Sequence, residues 1–136
     1  MKTINIGLLT MLLFLFAISN IHAQTIIFCE SVDSYGKPIN SADTFDVSQQ
    51  GGMLTVLLKP GHQLNTTVIL YQIYSFEGTT SELNNIERSE VEENWLFCWI
   101  HLNFIEEGKY RIKAFSADNV LLGTGDVYIK VDKSRE

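Results

Sequence analysis

Positive charge is scarce in this chain: ten Lys and Arg stand against sixteen Asp and Glu, a formal net charge of −6 at pH 7. Phosphate binding needs an excess of cations, so nucleic acid is not expected as a partner. There is also no basic run that would dock the chain on an anionic membrane surface. Long helical periods are missing, and so are internal repeats and low-complexity tracts. Cysteine is limited to Cys29 and Cys98. Beyond the first 23 residues the only histidines are His62 and His101, and these four side chains show none of the close ligand spacing of a zinc site. We therefore expect no metal and no cofactor.

Only one long apolar run is present, Ile6 to Ile18, behind the short positive start Met1-Lys2. It is too short to span a bilayer, which takes roughly 18 to 20 apolar residues. The more polar Ser19-Asn20-Ile21-His22 follows and ends in the small residue Ala23, the anatomy of a cleavable secretory signal. The expected organisation is a signal peptide over residues 1–23 and one domain over 24–136, with no transmembrane span in the mature chain. The protein is then extracytoplasmic, periplasmic or secreted. Cleavage leaves 113 residues, with nine cations against sixteen carboxylates, enough chain for one core but not two. In an oxidising compartment Cys29 and Cys98 are expected to form a disulfide, their single possible connectivity; two buried free thiols are the alternative.

What is abundant is strand chemistry. Val, Ile, Thr and aromatic residues come in short runs parted by turn residues. Thr25 to Val32 is the first run, ended by a turn at Gly36 and Pro38. Thr44 to Val47 reads as an edge strand. Met53 to Leu58 and Thr67 to Tyr74 are apolar at nearly every position, which predicts central strands covered on both faces. Residues 77 to 94 are rich in glutamate, with Leu83, Ile86 and Val91 near a helical spacing, and read as a solvated loop with one helical turn. A calcium loop would need Asp-rich, glycine-turned spacing that this segment lacks.

From Asn94 to Phe104 strict alternation puts Leu96, Cys98, Ile100, Leu102 and Phe104 on one side and Trp95, Phe97, Trp99 and His101 on the other. Either face could serve as core. If the aromatic row faces out, it is the candidate binding strip, since rings supply contact area at low entropic cost. Lys109 to Phe115 points Tyr110, Ile112 and Ala114 inward and Arg111 and Lys113 to water. Gly123-Thr124-Gly125 allows a bulge, and Val127, Ile129 and Val131 alternate towards the end.

Seven to eight strands in this length predict an all-β fold. The segment Phe104-Ile105-Glu106-Glu107-Gly108-Lys109-Tyr110-Arg111-Ile112, followed by a hairpin, is similar to the last strands of exported immunoglobulin-like and fibronectin-like modules. That resemblance implies an immunoglobulin-like antiparallel β-sandwich. The tryptophans, however, flank Cys98 instead of lying between the cysteines, and Leu96 stands where antibody-type domains carry tyrosine. The resemblance thus reaches fold alone, since the architecture hosts many roles.

No nucleophile motif accompanies His62, in a Pro-Gly turn, or His101, on the aromatic row, and Cys98 sits among aliphatic residues that disfavour a thiolate. The leading expectation is a non-enzymatic protein-binding or accessory domain with another extracytoplasmic protein as partner. A carbohydrate or small-ligand module using Trp95, Phe97, Trp99 and His101 is second, and a small hydrolytic enzyme third. Asn65-Thr66-Thr67 fits a glycosylation sequon.

Overall fold

A computed structural model of the chain describes residues 25–133. The expected signal peptide lies outside them. The described residues form ten strands and no helix. They are β1 (Ile26–Cys29), β2 (Ser31–Val32), β3 (Pro38–Ile39), β4 (Thr44–Val47), β5 (Gly52–Leu58), β6 (Val68–Glu77), β7 (Thr80–Glu90), β8 (Cys98–Phe104), β9 (Gly108–Ser116) and β10 (Leu121–Val131). One sheet runs β1-β5-β8, a second β4-β10-β9-β6-β7, and β2 and β3 make a small hairpin. All pairings are antiparallel except β4 with β10, which is parallel.

The alternation of each strand decides its inner face. Ile26, Phe28, Leu54, Val56, Leu58, Leu102 and Phe104 of the three-stranded sheet meet Ile69, Tyr71, Ile73, Ile112, Ala114, Val127 and Ile129 of the five-stranded sheet in one buried cluster. The inward positions expected on β9 and β10 are those observed. β4 is an edge strand, and β5 is central with both faces buried. Its outer face, including fully buried Leu57, is closed by the β2–β3 hairpin. There the Glu30 N–H donates to the Ile39 carbonyl at 3.0 Å, and the Lys59 ammonium reaches the Gly36 carbonyl at 3.4 Å.

Two expectations fail here for identifiable reasons. Residues 80–90 are not a loop with a helical turn but the strand β7, joined to β6 by a tight turn at Gly78, whose φ is +65°. The helical-looking spacing of Leu83 and Ile86 comes from a bulge. Tyr74 pairs with Leu83 and Ile73 with Asn85, leaving Asn84 as the extra residue. A bulge of this kind returns residues three apart to the same face.

The second failure is the disulfide. Cys29 and Cys98 are both free and buried. Cys29 pairs with Thr55 and Cys98 with Leu58, so the whole of β5 lies between them. Two strand spacings come to about 9.6 Å, beyond the reach of a bridge. Positions 55 and 58 also face opposite sides of the sheet, so the two thiols point apart.

Candidate functional site

The two sheets differ in width, and the site follows from that. The three-stranded sheet ends at β8 and the five-stranded sheet at β7. Asn85, Glu87 and Ser89 of β7 pair with buried Ile73, Tyr71 and Ile69 of β6, so they share the core-facing side of the sheet. No strand of the narrower sheet lies opposite to cover them, and polar residues occupy these positions. The result is a trough between two free sheet edges, polar along β7 and mainly apolar along β8.

At one end Ser89, Glu90 and Val91 face Trp95, Leu96, Phe97, Cys98 and Trp99 around a cavity of about 470 Å³. At the other, Asn84, Asn85 and Glu87 face His101 to Glu106, with Met53, Ile73 and Tyr110, around about 580 Å³.

The loop between β7 and β8 is pinned to the segment before β6. The Leu64 N–H donates to the Trp95 carbonyl at 2.8 Å, Asn65 N–H to Glu93 at 2.9 Å, and Val91 N–H to Thr67 at 3.0 Å. This rigid loop displaces Trp95 from the expected strand, which begins only at Cys98. The Trp95 indole N–H donates to the Glu92 carboxylate at 3.1 Å, leaving the ring 42% exposed.

The other three members of the predicted strip lie on the outer side of the three-stranded sheet, which settles the face question: Cys98, Leu102 and Phe104 are buried in the core. Phe97 and Trp99 stack with centroids 6.0 Å apart and planes 15° apart. Trp99 is 43% exposed. Phe97 is half-buried because its ring lies on Gly36, where an added Cβ would come within 2.6 Å of the ring.

His101 is fixed by a relay: the Thr55 hydroxyl donates to the Glu30 carbonyl at 3.0 Å and stands 3.1 Å from His101 Nδ1. With its one proton committed, Thr55 can only accept from the ring, so Nδ1 is the donor in this contact. His62 donates from Nδ1 to the Gln63 carbonyl at 2.6 Å. The hydrogen bonds of neither histidine reach a carboxylate.

Beneath the first cavity, Cys98 Sγ lies 3.3 Å from the Tyr71 hydroxyl. Burial pushes the Cys98 thiol up, while the Tyr71 hydrogen bond pulls it down. Burial raises Tyr71 well above the ordinary phenol range, with Cys98 adding to the rise. Both groups are therefore neutral and mutually satisfied, and the floor of the cavity presents no charge. Among the described residues no three His, Cys, Asp or Glu side chains group as a metal site.

The polar wall of β7 and the Tyr71 partner of Cys98 were missed in the sequence. Asn85, Glu87 and Ser89 do alternate, but the bulge at Asn84 breaks their phase with Leu83.

No family model matches the chain, and no curated protein matches it. Solved structures do. A superoxide reductase (neelaredoxin) from Ignicoccus hospitalis aligns in two forms. One has 14% identity over 85% of this chain and 86% of that one, at a TM-score of 0.43. The other has 12% identity over 79% and 83%, at a TM-score of 0.41.

These matches correct three expectations. The neighbours are superoxide reductases, not immunoglobulin-like or fibronectin-like modules. They are enzymes by name, so neither a non-enzymatic protein-binding or accessory role nor the exclusion of catalysis stands. At this identity and TM-score the likeness carries no activity, substrate or redox group to this chain.

Proposed function

We propose that the chain works through the trough between β7 and β8 and takes a small, flat, largely apolar molecule, as ligand or substrate, at its Trp95–Trp99 end. The two main sheets are read as a β-sandwich within a single domain of residues 24–136, exported by the segment 1–23. The observation that carries the reading is the pair of indoles, 42% and 43% exposed, beside a cavity of about 470 Å³. That size lies in the range of small-molecule sites, which combine apolar walls with a few polar groups.

The chemistry of the walls selects the occupant. The Cys98 thiol and the Tyr71 hydroxyl satisfy each other, so a polar group driven to the floor would lose its water without gaining a partner. Glu92 holds the Trp95 indole. A hydrogen-bond donor or cation on the edge of the molecule suits this carboxylate better than an anion does. The exposed Trp surface contributes on the order of 25 cal/mol for each Å² the ligand covers.

The test is tryptophan fluorescence titrated with a bicyclic aromatic amine and with a bicyclic aromatic carboxylate of the same size. Saturable quenching by the amine, weaker quenching by the carboxylate, and loss of the response in Trp95→Ala support the site. A linear, non-saturating response to both probes, or a saturable one unchanged in Trp95→Ala, would sink it.

A further inference from the structure

The outer face of the five-stranded sheet, on the opposite side of that sheet from the trough wall, concentrates the charge the rest of the surface lacks. Lys109, Arg111 and Lys113 alternate along β9 against the buried Tyr110, Ile112 and Ala114, so all three point outward. The register places Arg88 of β7 and Lys130 of β10 on the same face. Half of the chain's ten cations therefore share one sheet face. Asp46, Glu90 and Asp126 are the carboxylates on its strands, and Glu107 closes the end of β9 against Val131. Glu90 pairs with Arg88 at 3.4 Å, and Asp126 pairs with Arg111 at 2.7 Å and Lys109 at 3.6 Å, so Lys113 and Lys130 are the cations these ion pairs leave for a ligand.

Aromatic rings are set among these cations. The Lys109 ammonium and the Arg111 guanidinium lie 4.7 and 5.0 Å from the centroid of Phe76, and Lys113 lies 5.2 Å from that of Tyr74. Those two rings lie beneath cations and do not project from the face. Tyr128 differs: it is 42% exposed, pairs in register with Lys109, and stands two residues from Lys130.

These features choose among occupants. A second copy packed face to face would bring the two β9 stripes of like charge together, which is costly. A bilayer calls for rings that reach into the interface, and Phe76 and Tyr74 are held under Lys and Arg. An extended chain of sugar rings carrying acid groups meets both requirements. Its apolar ring faces stack on a flat aromatic, and its acid groups meet cations that repeat at about 6.8 Å along the strand.

We propose that this face binds an anionic polysaccharide, with a sugar ring over Tyr128 and acid groups on Lys113 and Lys130. The site is independent of the trough.

Polygalacturonate is the probe, with dextran as its neutral counterpart and poly-glutamate and anionic phospholipid vesicles as competing anions, measured by calorimetry in low salt and in about 0.5 M salt. The expected result is binding of polygalacturonate alone, weakened by salt. It should weaken about tenfold or more in Tyr128→Ala and in the double variant Lys113→Gln, Lys130→Gln, and stay unchanged in Trp99→Ala. All four substituted side chains are half-buried or exposed, and thermal unfolding of each variant verifies its fold. Failure to bind polygalacturonate, equal affinity for poly-glutamate or vesicles, or retention of affinity in Tyr128→Ala would each overturn the proposal.

Discussion

Tyr71 and Cys98 meet hydroxyl to thiol at 3.3 Å across the core, joining a central strand of the wide sheet to the edge strand of the narrow one. Each is the other's hydrogen-bond partner in a core built mainly of aliphatic and aromatic side chains. The pair occupies the position a reader of the sequence would give to half of a disulfide.

The first prediction concerns that thiol. Because burial raises Cys98 and the Tyr71 hydroxyl partly offsets it, native Cys98 should alkylate far more slowly than a free thiol at neutral pH. Removing the hydroxyl in Tyr71→Phe should slow it further at alkaline pH and cost about 1 kcal/mol of stability. Thiol counting in denaturant, without reductant, should find both cysteines reactive. A mass lower by two hydrogens before reduction would show a bridge instead.

Gly36 is the second target. Its φ is +80°, and a methyl group there would strike the Phe97 ring. Gly36→Ala should destabilise the protein by about 1 to 3 kcal/mol. It should also shift Trp99 fluorescence, because Phe97 stacks on that indole. An unchanged melting temperature and spectrum would show that the hairpin does not hold Phe97 in place.

The third prediction is a pH dependence. The forked hydrogen bonds from Arg111, at 2.7 and 2.9 Å, hold the Asp126 carboxyl below its ordinary range. A depressed folded value means the pair stabilises the protein above the unfolded value of about 3.9, and the contribution is lost as pH falls through the folded value. Both side chains are over a third exposed, so the contribution is small, under about 1 kcal/mol. Asp126→Asn should therefore melt lower than wild type at neutral pH, and the two should converge in acid. A difference that widens in acid would contradict this sign.

The fourth prediction lies at the amino terminus. If residues 1–23 are the export signal, the mature protein recovered from its native host should begin at Gln24. A product that retains Met1 would remove the extracytoplasmic assignment.

Much of the fold was legible in the sequence, because period-two alternation survives wherever one face is buried. Tyr110, Ile112 and Ala114 on β9, and Val127 and Ile129 on β10, are buried as alternation requires. On β7 the same rule failed. An edge strand over an open trough has polar residues on its inner face, so there is no apolar contrast to read. One bulge residue, Asn84, then turns the spacing of the remaining apolar pair into an apparent helical one. β6 was read as covered on both faces, yet its outer residues Leu70, Tyr74 and Phe76 are only half-buried by their neighbours in the sheet.

The geometry of the candidate strip was only half legible. Alternation drew it as one straight row, but the segment bends: the backbone bonds from Leu64 and Asn65 hold the β7–β8 loop. Trp95 consequently lines the trough beside Trp99 instead of extending a row with it.

By itself the sequence determined the all-β class, the charge balance and the inward positions of the regular strands, since these depend on composition and on a local side-chain period. Tertiary structure alone decided which face of β8 is core, that Cys29 and Cys98 lie across β5 from each other, and that the sheets differ in width. Each of these depends on which strands are neighbours. Neighbours are chosen by the summed burial of distant segments, and no local spacing encodes that.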